Sequence, residues 1–455
     1  MLFLIKFAQA HETFRIPEIK ALAILENVEL EVVDYSEESP LCIVKLPSPE
    51  AAEKLIRRSI IAQSIHEFWG SGVTLDALKE SVTATSAEEW PQYKTKSFKF
   101  VFDSYQGSRS TSDRLAVINS LRYLPFDGPI VMNGPDETFT IFELWPFNSV
   151  PLKIEHPNMY YLGRYIASSS RDVVLRFDLK KRHYISTTSM DSELALITAN
   201  IALAAPGKLF YDPFVGTGSF PIACSHFGAL SWGSDIDGRS IRGDGSGKSL
   251  KSNFDQYGIG SLLGDVFSAD ITNSPIRRTK RTWDGIVCDP PYGVREGLRV
   301  LGLKDPEKTP WLIERGMKHG TSFEFVPPKK PYSFMAILDD ILVFAVETLV
   351  DDGRLSFWMP TANEEEQQIP PPTHPKLEIV ANCVQVFNKW SRRLLTYRRM
   401  RDSEVSPDAL EAYAARQEVE AIGTTANELN PFRRGYFRKF KSESESESEQ
   451  VKQKP

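Results

Sequence analysis

Asp289-Pro290-Pro291-Tyr292 follows the apolar run Gly285-Ile286-Val287-Cys288 and sets two hydrogen-bond acceptors beside an aromatic ring. The Asp289 carboxylate and the Pro290 carbonyl can both accept from an NH2 group while the Tyr292 ring stacks on the base that carries it. The pattern suits capture of the exocyclic amine of a nucleobase, and methylation of an amino nitrogen is the chemistry it suggests. Cys288 lies on the apolar strand itself, where a thiol is a core residue rather than a nucleophile.

Acids recur where other strands should end. Leu209-Phe210-Tyr211 leads into Asp212-Pro213-Phe214-Val215-Gly216-Thr217-Gly218-Ser219 and a helix-like Pro221–Phe227. Gly216 and Gly218 lack the Cβ that would keep a ligand off the backbone, and the crevice at the carboxyl ends of strands is where open α/β sheets bind cofactors. The next strand, Ala229–Asp235, ends in Asp235-Ile236-Asp237, with Asp235 the better acceptor for a ribose diol. A third, Gly260-Ser261-Leu262-Leu263, is expected to end at Gly264-Asp265-Val266, where Asp265 could accept from an adenine amino group. Either a helix cap or a solvated loop would explain one such aspartate; acids at three consecutive strand ends, with a fourth at Asp289, point to a cofactor pocket beside an amine pocket.

The order D-P-F-x-G-x-G-S, S-D-I-D, G-D, D-P-P-Y resembles class I S-adenosylmethionine-dependent methyltransferases that act on base amino groups. Three longer runs narrow the likeness: Tyr184-Ile185-Ser186-Thr187-Thr188-Ser189-Met190-Asp191-Ser192-Glu193-Leu194, Asp289 through Gly293-Val294-Arg295-Glu296-Gly297, and Asn388-Lys389-Trp390-Ser391-Arg392-Arg393-Leu394-Leu395. Together they resemble the catalytic subunits of eukaryotic tRNA guanosine-10 N2-methyltransferases over about residues 163–401. The resemblance implies a Rossmann-like class I domain with a seven-stranded, mostly parallel sheet, preceded by a ferredoxin-like part and a THUMP RNA-binding part. It implies S-adenosylmethionine held by Thr187, Thr188, Ser189, Met190, Asp191, Asp212, Phe214, Gly216, Gly218, Asp235, Asp265 and Val266. Asp289, Pro290 and Tyr292 would be catalytic, with Pro291, Gly293 and Arg295 contacting the substrate. It also implies tRNA and a small zinc-binding activator protein as partners, the latter docked on an edge strand near Ser261–Leu263.

The elements that must position these residues are legible in outline. Leu2–Phe7, Pro17–Glu26, Leu30–Tyr35, Leu41–Leu46, Pro49–Ser59 and Ile61–Trp69 read β-α-β-β-α-β, the ferredoxin-like order, with Ser48 as an N-cap. The expected division is residues 1–70 for this part, 71–145 for the THUMP part, 146–162 for a linker and 163–401 for the catalytic domain. A helical extension at 402–440, opened by Ser406-Pro407, and a disordered Ser/Glu tail at 441–455 complete it. Lys94, Lys96, Lys99, Arg109, Arg114 and Arg122 make the second part locally basic, as an RNA surface or as an ordinary solvated face. Lys389, Arg392, Arg393, Arg398, Arg399 and Arg401 interleave with Trp390, Leu394, Leu395 and Tyr397 without an acid, so Arg398 and Arg399 are candidates for tRNA phosphate contact or simply for a solvated hairpin.

A net charge of −6 across 455 residues means that any nucleic acid is met through local basic surfaces. Four widely spaced cysteines support neither a zinc site nor a disulfide framework and suit the cytoplasm. Phe334–Val350 is apolar, but Asp339, Asp340 and Glu347 argue against a membrane span. Gly243-Asp244-Gly245-Ser246-Gly247-Lys248-Ser249 imitates a phosphate-binding loop, yet Arg242 stands where that loop needs its first glycine. The remaining rivals are another amine target (adenine N6, another RNA guanine or a protein glutamine) and a catalytically silent RNA-binding subunit, which the intact acids disfavour.

Overall fold

The computed structural model describes residues 1–243, 245–293, 297–303, 307, 314, 328–363, 368–388, 390–416 and 430. The chain divides into two compact units, Met1–Val173 and Val174–Pro455.

The first unit is built on one sheet of seven strands: β1 (Leu2–Phe7), β2 (Glu31–Tyr35), β3 (Leu41–Lys45), β4 (Ala62–Gly72), β5 (Phe98–Tyr105), β6 (Glu137–Leu144) and β7 (Met159–Ser168). Their order is β2-β3-β1-β4-β7-β6-β5, so the ferredoxin-like strands and those after them share a single sheet. The helix Pro49–Ile56 starts where Ser48 accepts from the Ala51 amide, and Thr74 caps Leu75–Ser86 in the same way. The linker expected at 146–162 is corrected. Met159–Ser168 is a strand wedged between β4 and β6, and its Tyr160 and Leu162 are buried with Trp69 and Phe139. Apolar side chains on both faces of that stretch require a central place in a sheet, which a solvated connector cannot provide.

The expected basic face is corrected in part. Lys96 reaches Glu137 at 2.7 Å, and Arg109 is held against buried Glu143 at 2.5 Å and the Tyr160 hydroxyl at 2.7 Å. Arg114 and Arg122 remain exposed.

The second unit carries β8 (Leu209–Asp212), β9 (Leu230–Asp235), β10 (Leu263–Ser268), β11 (Trp283–Cys288), the small hairpin β12 (Arg299–Leu301) and β13 (Lys329–Pro331), then β14 (Leu349–Thr361), β15 (Leu377–Val386) and β16 (Ser391–Arg399). The main sheet runs β10-β9-β8-β11-β14-β16-β15; its first five strands are parallel, β16 runs against them, and β15, antiparallel to β16, runs with them again. β11 is buried nearly throughout, as a parallel strand covered on both faces must be. Tyr211, Ile286, Phe357 and Tyr397 form its core with Phe344 of the helix Phe334–Thr348. Among the described residues no helix is long and apolar enough to cross a membrane.

Chain order reverses between β8 and β11, which opens a crevice at the carboxyl ends of the parallel strands. The third strand expected there is displaced. Gly260–Leu262 is a 3-10 turn, and β10 begins at Leu263 and pairs through Ser268 with Asp235. In the extension the described elements are the 3-10 turn Asp402–Glu404 and the helix Pro407–Ala415, whose start has Pro407 but no side-chain bond from Ser406. Most of the rest of 402–440 and all of the 441–455 tail lie outside the described residues.

Candidate active site

β8 ends at Asp212, which is 1% exposed and accepts from the Phe214 amide at 2.9 Å. That bond bends the chain into the glycine turn, where Gly216 (φ 49°) and Gly218 (φ 88°) take left-handed backbone. The Gly216 amide donates to Asp235 Oδ2 at 2.9 Å, and Asp235 Oδ1 accepts from the Asp237 amide at 2.8 Å. One carboxylate therefore ties the end of β9 to the turn after β8.

A second wall comes from the segment before the helix Ser192–Ile201. Ser189 and Thr217 share a hydroxyl bond of 2.7 Å. Asn253, fully buried, accepts from the Tyr184 amide at 2.9 Å and donates to the Tyr184 and Thr217 carbonyls at 2.7 and 3.1 Å. Beneath it the buried Arg182 donates to Ser219 Oγ at 2.9 Å.

Between these walls lies a cleft of about 320 Å³ that runs from Asp235 past Phe214, Met190 and Asp212 to Asp289, Pro290, Pro291 and Tyr292. Thr188, Ser189 and Gly216 also line it. Thr187 is exposed and outside the lining, and Gly218 is buried behind the turn. Asp191 caps the helix Ser192–Ile201 by accepting from Glu193 and Leu194, so its first task is structural. Gly293 is buried next to the cleft (φ 66°), and Arg295 falls outside the described residues.

Two assignments are corrected. Asp265 sits exposed in the middle of β10 with its carboxylate turned back on the Val266 amide, so neither it nor Val266 is at the strand's end. The acid just beyond that end is Asp270, 5% exposed, which accepts from the Thr272 and Leu301 amides at 3.0 and 2.7 Å. Arg398 and Arg399 lie at the far end of β16, opposite the start of β14. Arg399 is buried and bound to Asp351, Asp402 and main-chain carbonyls, and Arg398 to Asp352, Glu378 and Glu404. Their charges are paired with acids of this chain, which weakens the case for them as phosphate contacts.

Asp289 Oδ1 and the Tyr292 hydroxyl are buried without a hydrogen bond of acceptable geometry. Burial pushes Asp289 up to about 6, against the opposing pull of Tyr292 and Arg392. Burial likewise raises Asp235, raises Asp212 well above its ordinary value with Asp235 and Asp289 adding repulsion, and holds Cys288 as an inert thiol. A half-buried cleft with three carboxylates favours a ligand that brings positive charge. A sulfonium and an ammonium group on one small molecule, with a diol for Asp235, fit this lining.

Two contacts went unread in the sequence. Arg392 Nη1 lies 4.0 Å from Asp289 Oδ2. Asn430, 3% exposed and more than a hundred residues away in the chain, donates to the Tyr292 carbonyl at 2.6 Å. Asn253 had a faint signal, a lone amide in the apolar stripe Leu250-Asn253-Phe254 of one short helix; Asn430 had none.

Comparison with known proteins agrees with this division. Residues 1–171 match the family described as Tmrp11 THUMP N-terminal domain, and residues 180–300 match the RMKL-like methyltransferase domain. The chain is 44% identical over 402 residues to the tRNA (guanine(10)-N(2))-methyltransferase of Saccharomyces cerevisiae, covering 87% of this chain and 92% of that one. It is 33% identical over 419 residues to that of Homo sapiens, covering 88% and 89%. The crystal structure of TrmN from Thermus thermophilus is similar at a TM-score of 0.40 and 16% identity, over 88% of this chain and 100% of that one.

Proposed function

The chain belongs to the family of tRNA (guanine(10)-N(2))-methyltransferases, and on that premise we propose that it transfers a methyl group from S-adenosylmethionine to the exocyclic N2 of guanosine 10 in tRNA. The observation that supports this most is the end of the cleft, lined by Asp289, Pro290, Pro291 and Tyr292, where an Asp289 oxygen and the Tyr292 hydroxyl are buried polar atoms beside the acid-lined wall.

S-adenosylmethionine supplies, when bound, a methyl group on a cationic sulfur that an amine can displace. Asp235 would take the ribose hydroxyls, and Asp212 and the glycine turn, which line the cleft with it, would face the methionine end; Asp270, buried just beyond the end of β10, would face the adenine side. Asp289 does the chemical work of the chain. The lone pair of guanine N2 is delocalised into its ring; accepting both amine protons, at the Asp289 carboxylate and the Pro290 carbonyl, favours the pyramidal nitrogen that attack requires. As the N–C bond forms and the C–S bond breaks, an N2 proton passes to Asp289 and then to water. A carboxyl titrating near 6 suits that transfer at neutral pH. Extruding the base costs a few kcal/mol, and stacking on Tyr292 offsets roughly 1–3 kcal/mol of it.

The first unit is the natural place for tRNA contact, with Arg114 and Arg122 exposed on and beside the helix Thr111–Ser120. For the small zinc-binding activator we propose β10. It is an edge strand of its sheet, Gly264 and Asp265 are exposed on it, and Leu263, Val266 and Phe267 are only half-buried. Four free cysteines support a cytoplasmic setting. Incubating the chain, with and without a candidate activator, with labelled S-adenosylmethionine and unmodified tRNA tests the reaction. Nucleoside analysis should find N2-methylguanosine; label in another nucleoside would refute the target, and full activity without a partner would refute the activator.

A further inference from the structure

Arg392 lies near the start of β16, opposite Pro360, on the side of the sheet's end where β11 delivers Asp289. Its guanidinium is clamped rather than free. Nε donates to Gln385 Oε1 at 2.6 Å, the group stands 4.7 Å from the Trp358 ring centre and 5.7 Å from that of Phe387, and the side chain is 15% exposed. Nη1 is 4.0 Å from Asp289 Oδ2, too far for a hydrogen bond and close enough for charge to act. Planar stacking and a fixed donor leave the cation one place to stand.

We propose that Arg392 is a positioning residue for the amine acceptor, its clamped charge keeping the Asp289 carboxylate ionised and one oxygen turned away from itself toward the base. This rests on the reading of Asp289 given above. The titratable groups that face Asp289 are Cys288 and Tyr292 from its own strand and loop, Asp212 from β8, and Arg392. Burial pushes the thiol and the phenol up, so both stay neutral, and Asp212 can only add repulsion. Among the described residues the cation in this set is Arg392. Without it, only the pull of Tyr292 would oppose burial, and a larger share of the carboxyl would be protonated at the pH where it must accept.

The test is the pH dependence of single-turnover methyl transfer, at saturating S-adenosylmethionine, by the full chain with its partner. The wild-type rate should fall on the acid side with a midpoint near 6. Arg392→Gln should move that limb up by about one pH unit, losing about threefold at pH 6.5 and approaching the wild-type rate by about pH 9. Arg392→Lys keeps the charge and should hold the limb within about half a unit of wild type. Gln385→Leu frees the guanidinium without removing it and should shift the limb the same way, by less. S-adenosylmethionine affinity should be unchanged in all three. An Arg392→Gln limb that stays in place, with the rate lowered equally at every pH or not at all, would overturn the proposal, as would Arg392→Lys behaving like Arg392→Gln. Should Arg392→Gln not fold, the other two variants decide. Which nucleoside carries the label tests the functional reading; the shift between variants tests Arg392 and is read on whichever amine is methylated.

Discussion

Asp289 carries a conflict between stability and chemistry. Its folded-state pKa of about 6 lies above the ordinary value of 3.8. A carboxyl raised on folding favours the folded state fully only below its unfolded pKa, and that contribution is lost as pH rises through the folded value. At neutral pH the wild type therefore bears the cost of a buried charge. Asp289→Asn should be more stable than wild type above pH 6, by about 1–3 kcal/mol, with the difference vanishing below about pH 4; thermal melts across that range measure it. The same variant should be inactive, since an amide cannot receive the N2 proton. Cys288→Ala should leave the pH profile intact, because the thiol is a core group. Asn430→Ala, which removes the bond to the Tyr292 carbonyl, should lower kcat about tenfold, the scale of one lost hydrogen bond of 1–1.5 kcal/mol, with little change in S-adenosylmethionine affinity. Asp212 and Asp289 could be read from the sequence because each closes an apolar run before a turn, and Asp235 because it ends the next strand-like segment at Asp235-Ile236-Asp237. Asn430 could not, since nothing local marks a residue whose partner lies in another segment.

Among the elements, those with strong boundaries were legible and those with weak ones were not. β8 and β11 are runs of large apolar residues stopped by an aspartate, so their ends are marked. β10 is short and half-exposed, and its apolar Leu262-Leu263 start resembles a strand interior. Placing the strand early put the proposed adenine-side acid at Asp265 in place of Asp270. Asp270→Ala should therefore weaken S-adenosylmethionine binding and Asp265→Ala should not, a contrast that calorimetry reads directly. β16 misled for another reason. Its cations stand out in sequence, while the acids that neutralise them, Asp351, Asp352, Glu378 and Glu404, are on other segments. Arg399→Ala should destabilise the fold by about 2–4 kcal/mol, as expected for a buried hydrogen-bonded cation, and leave the salt dependence of tRNA binding unchanged.

At the scale of the molecule, the chain is two units whose border is Val173, some ten residues later than the sequence suggested. The ferredoxin-like order was readable because strand and helix periods alternate cleanly over the first seventy residues. That the following segment continues the same sheet was not, because β4 to β7 pairing joins residues far apart in the chain. Neutralising Arg114 and Arg122 together should reduce the slope of log affinity against log salt for tRNA by about 1–2. The central claim is that Asp289 receives the guanosine amine, and single-turnover methylation of unmodified tRNA by Asp289→Ala tests it most directly. The expected result is no detectable N2-methylguanosine with S-adenosylmethionine and tRNA affinities close to wild type. N2-methylguanosine formed at a near-wild-type rate would contradict it.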